Sequence, residues 1–309
     1  MPVPTLRSEL LRRRIDRFAK TLHGLEQGDV RALHRARVGS RRLRELLPTL
    51  HVKNPAVARK LSKRLRKVTT RLGTVRELDV LLLLVDELHL SRRDQSSAVG
   101  RVGVTVARAR DEARKHLFER LPIAEMRRIV RTLEGVADEL SKAEASRSSS
   151  ADRSWLWVVE ARVTRRASRL AIAVNDAGAL YVPERLHVAR IALKKLRYAV
   201  ELAADIRGTR TDPALRALRR AQDLLGRIHD IQMMLDRVRL VQTSLVPPNV
   251  TVWRELDALV VSLEDDCRRL HARYMRTREA LAALAARLSG VEKGRPPARS
   301  AESRPRRAS

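Results

Sequence analysis

The chain has 309 residues, 44% of them hydrophobic, and its 65 Lys+Arg against 36 Asp+Glu give a formal charge of +29. A chain of this length and apolar content buries one large core or two smaller ones, which excludes a basic tail in search of a scaffold, while the charge favours a polyanionic partner without choosing among polyanions. Cys267 is the lone cysteine, which excludes an internal disulfide and a cysteine-based zinc cluster and fits a reducing compartment.

From the start, Met1-Pro2-Val3-Pro4 meets charge by Arg7 and Glu9, without the apolar segment of a secretion signal. Apolar residues then recur at spacings of three and four rather than in alternation, and Gly and Pro fall mostly between the periodic stretches, so the whole chain reads as helical with no strand. The spacing predicts helices over 5–24, 29–50, 55–72, 76–89, 94–120 and 122–145, then 153–177, 184–206, 212–227, 229–243 and 250–288. The longest run of Val and Leu, Val80 to Val85, is far below the ~20 residues of a membrane span. The expectation is a soluble cytoplasmic protein that does not enter a membrane.

Ala145-Ser146-Arg147-Ser148-Ser149-Ser150 is small and polar and suits a flexible junction. It divides the chain into a first half (1–145), a junction (146–152) and a second half (153–288). Pro183, Asp212-Pro213 and Pro247-Pro248-Asn249 mark helix entries or loops. From 289 to 309, Gly294, Pro296, Pro297, Pro305 and scattered arginines leave no apolar stripe, which predicts a disordered basic tail.

One basic signature occurs twice. Leu33-His34-Arg35-Ala36-Arg37-Val38-Gly39-Ser40-Arg41-Arg42-Leu43-Arg44 is answered by Leu186-His187-Val188-Ala189-Arg190-Ile191-Ala192-Leu193-Lys194-Lys195-Leu196-Arg197 at a constant offset of 153, and the register still holds where Gly73 meets Gly226. Such a match implies two similar halves. An arginine-rich chain with solvated helix faces has the same total charge, but it has no reason to order that charge twice.

At about 100° per residue, His34, Arg37, Arg41 and Arg44 fall at roughly 0°, 300°, 340° and 280°, a single stripe. Ala36, Leu43, Leu47 and Leu50 centre on the opposite side and form the packing face. His187, Arg190, Lys194 and Arg197 repeat the stripe, with Ala189, Leu193, Leu196 and Val200 opposite. A second basic element follows at the same offset, Lys63, Arg66 and Lys67 matching Arg216, Arg219 and Arg220, and is expected to form the facing wall. Guanidinium forks suit phosphate oxygens, so a linear phosphate polymer fits a row of this kind.

His34 and His187 are open to two readings, as packing or capping residues or as members of the stripes they head. In the second reading neighbouring cations disfavour imidazolium and a bound polyanion favours it, which links binding to proton uptake. Further on, Leu72-Gly73-Thr74-Val75-Arg76-Glu77 pairs with Leu225-Gly226-Arg227-Ile228-His229-Asp230. The glycines read as helix-ending turns or places of close approach, and Glu77 and Asp230 as first-turn acids that complement the helix dipole or anchor a wall arginine. A metal or acid/base role for them has only one carboxylate per half and no ligand-spaced cluster beside it.

The doubled pattern His-x-x-Arg-[Val/Ile]-x-x-[Arg/Lys]-[Arg/Lys]-Leu-Arg followed by Leu-Gly-x-x-[Arg/His]-[Asp/Glu] resembles the CHAD family, the conserved histidine α-helical domain, over roughly residues 5–288. The resemblance implies an all-α fold of two four-helix bundles related by a pseudo-twofold axis, around a basic surface that binds inorganic polyphosphate, without catalysis or a cofactor. It places the family's histidines at His34 and His187 and its cations at Arg37, Arg41, Arg42, Arg44, Arg190, Lys194, Lys195 and Arg197. Glu77 departs from the Asp usual in the family. The Glu-x-Glu-x-Lys signature of the CYTH domain that accompanies many relatives is absent, so the expectation is a stand-alone binding module that targets or organises polyphosphate granules.

Two other readings compete. A nucleic-acid binder fits the charge, but aromatics are 3% of the chain and no recognition motif is present, leaving only nonspecific phosphate contacts. An enzyme of phosphate esters or polyphosphate would need a P-loop or clustered metal carboxylates for its chemistry, and neither is legible, which leaves an accessory subunit of such an enzyme as the alternative. No catalytic or metal-binding residue is assigned. A helical solenoid would satisfy the periodicity as well as two joined bundles do.

Overall fold

A computed structural model describes residues 6–91, 96–146, 150–209, 213–245 and 249–290. Among these every regular element is helical: α1 (Arg7–Ala19), α2 (Leu22–Glu26), α3 (Val30–Leu46), a 3₁₀ turn (Leu47–Thr49), α4 (Pro55–Ser91), α5 (Ser96–Arg120), α6 (Ile123–Ala145), α7 (Ser150–Ala177), α8 (Pro183–Arg207), α9 (Pro213–Thr243) and α10 (Val250–Ser289). The local chemistry explains many of the ends. Asp29 caps α3 by accepting from the Arg31 amide at 2.8 Å, and Asn249 caps α10 by accepting from Val252 at 3.0 Å. Pro183 and Pro213 open α8 and α9, where a missing N–H costs nothing. Gly208 and Gly290 end α8 and α10 in the left-handed region, at φ 66° and 77°.

Four expected boundaries move. The helix expected over 5–24 breaks after Ala19, where the Thr21 hydroxyl donates to the Phe18 carbonyl at 2.6 Å. The helix expected over 29–50 tightens to a 3₁₀ turn around Pro48. The pairs 55–72 with 76–89 and 212–227 with 229–243 are single helices, α4 and α9, so Gly73 and Gly226 lie in helix interiors rather than at turns. A mid-helix glycine costs about 1 kcal/mol relative to alanine, less than burial of one flanking leucine returns. Leu72 and Val75 beside Gly73 are fully buried, and Leu225 and Ile228 beside Gly226 nearly so. Glu77 and Asp230 are therefore mid-helix residues, not first-turn acids.

The 153 offset carries the first residue of α3 to that of α8 and maps α4 onto α9. Subtracting it from 250 and 289 places α10 over 97–136, the span that α5 and α6 cover with a break at Pro122. Packing gathers the helices into three cores, two of which join the repeats. One gathers α1, α3, the first part of α4 and α6 with Trp155, Val159, Leu202 and Ile206 of the second half. Another gathers α7, α8, the first part of α9 and the end of α10. The middle core belongs to both halves: Leu78–Leu88 and Ala98–Val106 meet Ile231–Val241 and Val252–Cys267.

Ion pairs tie the halves together as well. Buried Glu45 on α3 accepts from Arg162 at 2.9 Å and Arg166 at 2.5 Å on α7, and buried Arg14 on α1 reaches Asp205 on α8 at 2.7 Å. α7 starts at Ser150, inside the junction expected over 146–152, of which 147–149 lie outside the described residues. Pro247-Pro248 and residues 291–309 of the expected tail also lie outside them. Among the described residues no helix is long and apolar enough to cross a membrane.

Candidate anion-binding site

α3 packs on α4 and α8, and α9 on α8 and α4, so the middle turns of the four helices meet. The expected packing faces do this work: Ala36, Leu43, Leu47 and Leu50, and Ala189, Leu193 and Leu196, are at most 1% exposed. With these apolar faces turned inward, both cation stripes are driven to one shared place.

There Arg37, Arg41, Arg190 and Lys194 act on one another. Burial and the charges of Arg190, Arg41 and Arg37 push the Lys194 ammonium down to about 7. Burial, then Arg41, brings the Arg37 guanidinium down to about 10, against a smaller upward pull from Glu77. Burial lowers Arg190 too, while Asp230 and Glu77 oppose it. Among the described residues no carboxylate oxygen lies within 4.0 Å of Arg37, Arg41, Arg44, Arg190 or Lys194. The Nε atoms of Arg37 and Arg190, equivalent positions of the repeat, are both buried without a hydrogen-bond partner. Unpaired buried charge of this kind is costly, and a site holding it is set up for an anion.

Both histidines stand at this band. His34 is exposed and is lowered by desolvation and by Arg76, Arg37, Arg35 and Arg41; His187 is half-buried and lowered by burial, Arg190 and Lys194. The ring of His187 lies 5.0 Å from that of His229, which burial, Arg190 and His187 push down to about 4. Arg44 extends the band toward Arg66, whose charge it feels. Gly73 is one of the expected close approaches, since a Cβ there would lie 3.4 Å from Arg37 Nε; at Gly226 nothing comes within 4 Å.

The other expected residues are placed differently. Arg42, Arg197 and Arg219 converge on buried Glu201, Arg42 and Arg219 at 3.5 Å, and their charge is partly spent there. Lys63, Lys67, Lys195 and Arg216 are exposed side chains, and Arg220 lines a groove between α9 and α10 with Arg276 and Arg287. The facing wall is thus not built from Lys63, Arg66 and Lys67 or from Arg216, Arg219 and Arg220 as groups. It comes from the next turns of the same helices, Arg76 and Glu77 on α4 and His229 and Asp230 on α9, because the helices continue through their glycines. Arg76 and His229 are themselves related by the 153 offset, a signal the sequence carried. Tyr198 had none: it is buried, accepts from Arg41 Nη1 at 3.2 Å and lies 4.4 Å under the Arg197 guanidinium. Among the described residues no three His, Cys, Asp or Glu side chains gather as a metal site.

The structure of the CHAD domain from the plant Ricinus communis is similar, with a TM-score of 0.55 at 23% identity over 93% of both chains. PptA from Streptomyces chartreusis gives a TM-score of 0.52 at 17% identity over 91% of this chain and 97% of its own. These likenesses establish the fold. No curated protein sequence matches the chain. Residues 9–239, most of the chain and both copies of the basic signature, match the CHAD domain family, and the protein belongs to that family.

Proposed function

We propose that the central band binds inorganic polyphosphate and performs no catalysis of its own. The observation that carries this reading is the set of Arg37, Arg41, Arg190 and Lys194, packed within range of one another with no carboxylate in ion-pair distance among the described residues. A linear polyanion neutralises such a row better than a compact one, because its charges repeat along a line as the cations do. Guanidinium groups from two helices approach it from both sides, and His34, His187 and Arg44 prolong the row. Binding without turnover suits a role in carrying or organising polyphosphate, at granules or elsewhere in the cytoplasm.

The test is titration of long-chain polyphosphate into the wild type and into a variant carrying Arg37→Ala, Arg41→Ala, Arg190→Ala and Lys194→Ala. The variant is expected to keep its helical circular-dichroism signal and to lose at least about a hundredfold in affinity, as removal of several charge-assisted contacts should. Undiminished binding by the helical variant would sink the reading. Phosphate release by the wild type would refute the claim of binding alone.

A further inference from the structure

α3 carries a second basic face. Arg35, Val38 and Arg42 fall at roughly 100°, 40° and 80° on the helix wheel, away from the central stripe, with His34 between the two faces. This second face looks into a cleft of about 520 Å³ between α1 and α3, lined by Arg14, Arg17, Lys20, His34, Arg35 and Arg42 and by no carboxylate. Its floor is fixed: Arg14 is 5% exposed and donates to the Arg42 carbonyl at 2.9 Å and to Asp205 at 2.7 Å. Arg42 and Arg35 have acidic partners, Glu201 at 3.5 Å and Asp29 at 3.4 Å. Arg17 and Lys20 are exposed at the cleft, and among the described residues neither has a carboxylate within 4.0 Å.

The cleft is not a by-product of the repeat. At the 153 offset the cleft-facing Arg35, Val38 and Gly39 become Val188, Ile191 and Ala192, and Val188 is 56% exposed. Of the basic residues that line the cleft, His34 and Arg42 keep basic counterparts, His187 and Lys195, whereas Arg14, Arg17, Lys20 and Arg35 become Ala167, Leu170, Ala173 and Val188. His34 lines the cleft and also feels Arg37 and Arg41 of the central band, so the two cation sets are continuous across one side chain.

Resting on the polyphosphate reading above, we infer that the α1–α3 cleft is a second phosphate lane, which takes up the continuing chain of a long polyphosphate after it passes His34 and so makes the protein selective for long chains. A tethered second contact is intramolecular, so it adds affinity only for a ligand long enough to reach both places.

The experiment compares tripolyphosphate with long-chain polyphosphate on four proteins at one salt concentration: wild type, Arg17→Ala/Lys20→Ala, Arg37→Ala/Arg190→Ala, and a control that removes two exposed arginines of α10, Arg254→Ala/Arg273→Ala. The cleft variant should hold tripolyphosphate as the wild type does and lose about tenfold in its preference for the long chain, and the control should lose neither. An unchanged long-chain preference in the cleft variant, or an equal loss in the control, overturns the second lane and leaves the central site standing. Failure of the wild type to bind, or full binding by Arg37→Ala/Arg190→Ala, overturns the central reading and the lane with it.

Discussion

Lys194 illustrates how a residue of the proposed site strains the free protein. Its ammonium is half-buried among Arg190, Arg41 and Arg37, and its pKa falls from 10.5 to about 7. The unfolded chain keeps the proton to higher pH than the folded one, so the penalty is fully present below pH 7 and fades as pH rises toward 10.5. Free-protein stability should climb across that window, and Lys194→Met should flatten the climb and raise Tm at pH 7, as thermal denaturation in a pH series will record. A bound polyanion restores the high pKa, so binding should draw protons from solution between about pH 7 and 9 and weaken as pH rises. Calorimetry in buffers of different ionisation enthalpy should detect the uptake in wild type, and Lys194→Met should lose it. At this scale the doubled offset made Arg37, Arg190 and Lys194 legible. The i, i+4 spacing of Arg197 and Glu201 on α8 was legible too, but the offset could not show that Arg42 is partly neutralised, since Glu201 reaches it only after α3 and α8 pack, nor that Tyr198, whose counterpart is Glu45, lies beneath Arg197.

At the scale of the helix, the two equivalent glycines separate local cost from local use. Both occupy helix interiors where alanine is the better residue by about 1 kcal/mol. At Gly226 a Cβ meets nothing within 4 Å, so Gly226→Ala should raise stability by about 0.5–1 kcal/mol and leave polyphosphate affinity unchanged. At Gly73 the same Cβ would touch Arg37 Nε at 3.4 Å. There the helix gains as much, but the methyl fills the space beside the guanidinium and restricts how it can meet an anion, so Gly73→Ala should weaken binding. Urea denaturation with parallel titrations distinguishes the two; equal binding losses would contradict the account. The helical class and most helix cores were readable from apolar spacing. The glycine boundaries were not, because burial of Leu72, Val75, Leu225 and Ile228 is a tertiary effect that outweighs local propensity.

Across the whole molecule, the boundary at 145 divides the repeat but not the packing. The middle core draws Leu78–Leu88 and Ala98–Val106 from one half and Ile231–Val241 and Val252–Cys267 from the other. Residues 1–145 or 153–288 expressed alone should therefore expose a continuous apolar face and fail to melt cooperatively; sharp, independent transitions from the separate halves would contradict this. Glu45 makes the same point electrostatically. Its carboxylate is held well below the usual range, against burial, by Arg166 and Arg162, and Glu45→Ala would strand two half-buried guanidinium groups. A loss of about 3–5 kcal/mol is expected in denaturant unfolding. The repeat announced two halves, but not how they are fastened, because Trp155, Arg162 and Leu202 have no repeat signal that marks them as contacts with the first half.

The measurement that bears most directly on the central claim is a competition at near-physiological salt. Labelled long-chain polyphosphate on the wild type is challenged with duplex DNA, alongside the variant lacking Arg37, Arg41, Arg190 and Lys194. A dedicated row of cations predicts that DNA, whose nonspecific binding fades steeply with salt, displaces little polyphosphate, and that the folded variant no longer retains it. Equal displacement by DNA, or retention by the variant, would mean that the +29 charge acts as a diffuse field and that the central band is not a site.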